Sequence, residues 1–227
     1  MTAEPLQSQL DAITSQTRTL VQPERLAITE NAVQELLASG IESRSLPVGA
    51  HAPEFQLTDT RGKLVRSTDL IALGPIVLTF FRGRWCPYCM TELEAWQAAY
   101  VEVRSRGALV VAVSPQLPRQ NDFTAQQHGI TFPILSDPGC SLAARFGIAY
   151  SVPEALRDQY RSTFVNLPFI NGDNGESTWN LPLPGTFVIG PSAAPNGSGT
   201  VLFSEAHADH RVRPDPQDVL KAIPARP

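Results

Sequence analysis

Two cysteines separated by two residues, Cys86 and Cys89, stand in the run FFRGRWCPYCMTELEAW, residues 80 to 96. Such a pair can cycle between dithiol and disulfide, or supply half of a metal site. A structural zinc site takes four ligands at diagnostic spacing. The chain has no second CxxC, and its one close histidine pair, His207 and His210, lies far along the sequence. Redox chemistry is therefore the expectation. Cys86 falls where the apolar run PIVLTFF gives way to a helical pattern starting at Pro87, whose missing N–H is harmless in a first turn. A thiolate there faces unpaired backbone N–H groups and the positive end of the helix dipole. Arg82 and Arg84 add positive potential. Cys86 is thus predicted to be the acidic, attacking thiol, and Cys89, one helical turn on, the resolving thiol. Alternation along the strand puts Arg82 and Arg84 on one face. Trp85 and Trp96 read as packing residues, with site lining as the alternative for Trp85 beside the thiol. Glu92 and Glu94 read as a solvated helix face, and Cys140, in DPGCSL, as a buried or helix-start cysteine.

The elements that must position these groups follow from the apolar pattern. PIVLTFF and ALVVAVSP are continuous β-branched runs, the pattern of strands buried on both faces. After Cys86, Leu93, Trp96, Tyr100 and Val103 form one helical stripe. NDFTAQQHG and GCSLAARFG read as short helices around the strand TFPILSD. EFQLTDTRGKLVRSTDL is a hairpin turning at Arg61-Gly62. GTFVIG and TVLFSEA pair around the turn PSAAPNGSG, and DPQDVLKAI closes the chain as a helix. Residues 149–182, rich in Pro, Asn and Gly, read as an irregular insertion. Residues 1–44 carry two helical patterns divided at Pro23 and ending at Gly40, an arm that packs on the body or on a second subunit. Residues 45–227 form the main domain. Strands alternating with helices, then a hairpin and a helix, define an α/β fold with a mixed central sheet.

The totals agree. The 227 residues are 42% hydrophobic and 18% charged, enough to build a sizeable core. A net charge of -4 favours neither nucleic acid nor an anionic membrane. The first residues lack the basic and apolar regions of a signal peptide, and no apolar run approaches the ~20 residues that span a bilayer. A soluble, cytoplasmic protein is expected.

FFRGRWCPYCMTEL resembles the active-site segment of the AhpC/TSA, peroxiredoxin-like branch of the thioredoxin superfamily. VGAHAPEFQLTDTRGKLV is similar to that family's opening, FPILSDPGCSLAARFGI to its LSD segment, and EAHADHRVRPDPQDVLKAI to this branch's ending. LPLPGTFVIGP resembles the superfamily's proline-before-strand motif. The resemblance implies a thioredoxin-like fold, a cis peptide bond before Pro184, and a substrate pocket formed by Trp85, Pro87, Pro184, Gly185 and Thr186. It also implies a peroxidase cycle: Cys86 attacks a peroxide, Cys89 closes the disulfide, and Arg82 or Arg84 polarises the oxygen. An external reductant of thioredoxin, glutaredoxin or glutathione type would recycle the pair. No metal, haem or flavin motif is visible, so no cofactor is expected, and a homodimer is consistent with the pattern. The family's Thr or Ser three residues before the cysteine is here Gly83, and Thr79 replaces its Pro. The CPYC loop is that of many glutaredoxins. A protein disulfide reductase and a redox-sensing interaction protein therefore stand beside the peroxidase as alternatives.

Overall fold

The computed structural model describes residues 4–191 and 199–224. The chain begins with α1 (Leu6–Leu20) and α2 (Pro23–Ala38), then a 3-10 turn at Ile41–Arg44. Next come the hairpin strands β1 (Gln56–Asp59) and β2 (Leu64–Arg66), α3 (Ser67–Ile71) and β3 (Ile76–Phe80). Alternation continues with α4 (Pro87–Ser105), β4 (Leu109–Ser114), α5 (Pro118–His128), β5 (Ile134–Ser136) and α6 (Ser141–Arg145). A second unit holds β6 (Ala149–Ser151), α7 (Glu154–Arg161), α8 (Leu167–Asn171) and β7 (Asn180–Pro182). The chain closes with β8 (Gly185–Gly190), β9 (Thr200–Ala206) and α9 (Pro216–Val219). The turn expected between β8 and β9 falls largely on residues 192–198, outside the described residues.

Seven strands form one sheet in the order β2-β1-β5-β4-β3-β8-β9. β3, β4 and β5 run parallel, while β8, β9, β1 and β2 are antiparallel to their neighbours. The sheet separates two apolar layers because successive strand residues point to opposite faces. Val77, Phe81, Val110 and Ala112 pack with α1, α4 and α9; Ile76, Leu78, Phe80, Val111 and Val113 pack with Phe146, Phe187 and α6. β3 is buried at every position, as its unbroken apolar run requires.

The N-terminal helices pack on the body. Leu6 and Leu10 of α1 enter the layer around α4, and α2 lies against α7. Three polar ties fasten these helices to the C-terminal loop: Leu6 N–H to Asp215, Gln7 to the Arg211 carbonyl, and Arg211 to Glu30.

The 149–182 segment is more ordered than its composition implies. β6 and β7 pair as a two-stranded sheet, and Leu156 and Tyr160, one turn apart on α7, pack with Val152, Leu167, Trp179 and Leu181 in a third apolar cluster. Helices of 8 and 5 residues are too short to show sustained periodicity in sequence.

Candidate active site

Cys86 caps the N-terminus of α4 in an extended conformation, with Pro87 exposed in the first turn. The carbonyl of Cys86 accepts from the N–H groups of Cys89 and Met90, so the helix starts directly beyond the thiol. Cys86 is 2% exposed and Cys89 is fully buried. All three cysteines are free, and Cys140 belongs to the layer on the opposite face of the sheet. That placement separates Cys140 from the CxxC pair.

The loop before Cys86 is built around Gly83. Its φ of 151° suits glycine, and a Cβ there would lie 2.5 Å from Trp85 Nε1. Buried Gln116 holds the loop by accepting from the Arg84 N–H at 2.8 Å, and is itself fixed by Asn121 and Thr124. β3 ends at Phe80, so strand alternation does not extend to the arginines. The expected shared face is not found. Arg82 turns inward, donates to Tyr160 Oη at 2.6 Å, and lies 4.8 Å from the Trp85 ring centroid. Arg84 turns away and stacks 4.9 Å from the Phe123 centroid.

A second cation reaches the site from 124 residues along the chain. Arg213 Nη2 lies 3.6 Å from Cys89 Sγ, and its Nε donates to Glu92 at 2.6 Å. Glu92 is not on a solvated face: it is fully buried and accepts from Thr79 of β3 and Thr186 of β8 at 3.1 and 3.4 Å. Glu94 is exposed and pairs with His128. Helical spacing from Cys89 could have put Glu92 on the inner face, but nothing local marked its partner arginine. His210 lies in the same loop as Arg213, against the edge of the Tyr88 ring. Burial and the nearby Arg82, Arg213 and Arg211 charges push its pKa well down, leaving a neutral imidazole.

The peptide bond before Pro184 is trans, contrary to the resemblance, and no cis bond occurs among the described residues. The backbone on either side is tied into extended pairing: Leu183 N–H donates to Ile148 O, and Pro184 O accepts from His207 N–H. Gly185 and Thr186 pair with Phe80 and Thr79, at the end of β3 that leads to the cysteine loop. Thr186 spends its hydroxyl on Glu92, below the thiols.

The electrostatics separate the two thiols. Burial opposes the Cys86 thiolate, but hydrogen bonding from Cys89 and the charges of Arg82 and Arg213 outweigh it and lower its pKa to about 6. Burial and the neighbouring Cys86 charge push Cys89 well up. Burial likewise raises Cys140. Arg82 keeps its charge: burial works against it, but Tyr150, Tyr160 and the two thiols favour the guanidinium. The alkylation rate of Cys86 should rise through about pH 6 and level off above it, because only the thiolate reacts. Cys89→Ala removes the hydrogen-bond donor and should move that inflection upward. An inflection near the free-thiol value of ~8.5 in the unaltered protein would contradict this picture.

A central mixed sheet, a dithiol at a strand-to-helix junction and two buried arginines whose charges act on it form an arrangement suited to thiol redox chemistry. Residues 48–194 match the AhpC/TSA family, and the chain belongs to it. It is 32% identical over 108 residues to the thiol-disulfide oxidoreductase ResA of Geobacillus thermodenitrificans, spanning 47% of this chain and 61% of that one. It is 28% identical over 120 residues to a Mycobacterium tuberculosis protein whose name places it among the peroxiredoxins, spanning 53% of this chain and 78% of that one. The crystal structure of peroxidoxin BcpB from Mycobacterium tuberculosis superposes with a TM-score of 0.58 at 21% identity, covering 78% of this chain and 96% of that one. That likeness shows the peroxiredoxin-type fold.

Proposed function

We propose that the chain is a thiol-dependent peroxidase that reduces hydrogen peroxide or organic hydroperoxides through a Cys86–Cys89 cycle. One observation carries the reading. The acidic thiol is almost wholly enclosed, and beside it Arg82 has a buried Nε–H with no partner among the described atoms. A small oxidant can enter such a site, and a spare guanidinium donor suits an oxygen on which negative charge develops. Arg82 takes the place of the hydroxyl that Gly83 lacks. The Cys86 thiolate attacks the terminal peroxide oxygen, the O–O bond breaks, and the departing alkoxide or hydroxide takes a proton. Cys86 becomes a sulfenic acid. Cys89, as thiolate, attacks the Cys86 sulfur and displaces hydroxide, which leaves as water once protonated. Arg213, 3.6 Å from Cys89, stabilises that thiolate at the moment it is needed. Three free cysteines suit the reducing cytoplasm, the location proposed here.

The similarity to ResA and the CPYC loop favour a second reading, a thiol-disulfide oxidoreductase acting on disulfides. Rapid mixing of the reduced protein with hydrogen peroxide or an organic hydroperoxide separates the two. The peroxidase reading expects thiol loss far faster than for a free thiol, a Cys86–Cys89 disulfide in the product, and a trapped sulfenic acid in Cys89→Ser. Loss at the free-thiol rate, with rapid reduction of a model protein disulfide, makes the disulfide oxidoreductase the better account. On the described residues, no helix is long and apolar enough to cross a membrane.

A further inference from the structure

Four side chains form a row that starts in the cysteine loop. Arg84 lies over the Phe123 ring at 4.9 Å, and Arg119 over the Phe169 ring at 5.0 Å. Arg119 and Phe123 stand four residues apart on α5, neighbours on one helix face. Cation and aromatic ring therefore alternate: Arg84, Phe123, Arg119, Phe169. The rings are 50% and 52% exposed. Among the described residues neither arginine makes an ion pair, and Arg84 Nε is buried with no hydrogen-bond partner. Asp122, the acidic residue next to Phe123, accepts from Gln126. The core does not require this row: the rings are half in water and the charges are unspent. Single exposed rings are ordinary on a protein surface, but a continuous cation–aromatic row is a feature of a different kind.

We propose that this row binds a small thiol bearing carboxylates, which reduces the Cys86–Cys89 disulfide; the proposal rests on the dithiol cycle above. Guanidinium presents a planar fork of donors that matches a carboxylate, and the flanking rings cover the apolar body of the ligand. The occupant is a thiol because the row begins two residues from Cys86, within the turn closed by Cys86 N–H on Gly83 O. It is small because Cys86 is 2% exposed, too enclosed for a cysteine fixed on another folded protein. In a chain of net charge -4, two unpaired cations in a row that starts in the cysteine loop also favour an anionic reductant over other sites on the molecule. The first thiolate attacks Cys86 Sγ, the disulfide breaks, and Cys89 leaves as a thiolate next to Arg213 and takes a proton. A second thiolate attacks the ligand sulfur of the mixed disulfide and expels the Cys86 thiolate. Two thiols give one small disulfide and the reduced pair; of their two protons, one remains on Cys89 and one enters solvent.

The test uses full-length protein oxidised with diamide, so that no peroxide enters the assay. Recovery of the dithiol is followed with glutathione, with glutathione diethyl ester, whose carboxylates are masked, and with neutral dithiothreitol. Glutathione should outpace its ester on the unaltered protein. Arg84→Met and Arg119→Met should each slow glutathione about fivefold, the scale of one exposed ion pair, while changing the dithiothreitol rate much less. Arg119→Lys, which keeps the charge, should retain part of the glutathione rate. Equal rates for glutathione and its ester, or equal slowing of glutathione and dithiothreitol in both variants, overturns the proposal. So does a protein dithiol such as thioredoxin reducing the disulfide while glutathione does not. A failure of the peroxidase reading would appear separately, as slow thiol loss with peroxide in the reduced protein.

Discussion

Replacing Arg82 with Met slows the reaction of Cys86 with hydrogen peroxide by about 10-fold to 1,000-fold, the range for losing one donor aimed at developing charge. Two effects contribute, and they can be separated. Removing the guanidinium takes away one of the two cations that favour the thiolate, so less Cys86 is ionised at neutral pH. It also takes away the unpartnered Nε–H proposed to donate to the peroxide oxygen. Alkylation reports the first effect alone. At pH 9 the thiolate is formed in both proteins, and the alkylation rates should converge while the peroxide rates stay apart. Arg82→Lys restores a charge without the fork and should lie between the two. The same change at Arg84, whose guanidinium lies over Phe123, should slow the peroxide step far less than Arg82→Met does. If the Arg82→Met rates converge for peroxide as well as for the alkylating agent, Arg82 acts only on thiolate fraction and the donor lies elsewhere.

The central elements were legible in the sequence because their causes are local. Continuous β-branched runs bounded by turn residues mark β3 and β4, and the switch to a helical stripe after Pro87 marks the start of α4 beside Cys86. The electrostatic setting of Cys86 was legible only in part. Helix position and Arg82 act locally, but Arg213 arrives from the far end of the chain through a loop held by α1 and α2. Sequence distance hides such a contact. Glu92 was misread for a related reason. A carboxylate one turn beyond Cys89 is ordinarily solvated, and only the distant arginine makes its burial tolerable. The divergence of Arg82 and Arg84 depends on where β3 stops and on the φ of Gly83, and a one-residue difference there changes the face. In the 149–182 segment, short elements hold together by burying Tyr160 and Trp179, not by any repeating pattern.

Arg213→Met should cost about 3–5 kcal/mol of stability, because breaking a buried pair leaves its partner charge uncompensated. Both side chains are about 1% exposed, and Glu92 would retain only the hydroxyls of Thr79 and Thr186 as donors. Chemical denaturation of the reduced protein measures the loss. The same substitution removes the charge nearest Cys89 and one of the two that act on Cys86, so the Cys86 pKa should rise from about 6. A purely structural role and a role in tuning the thiols are separated by the double variant Arg213→Met/Glu92→Leu. With no charge left buried, most of the lost stability should return, since an apolar pair of similar volume can replace a buried ion pair at little cost. The thiol acidity should not return, because no cation has been restored beside the sulfurs. A Cys86 inflection that stays near pH 6 in the single variant would show that Arg213 braces the fold without acting on the dithiol. An inflection that recovers in the double variant would show that the shift came from a distorted helix start, and not from the missing charge.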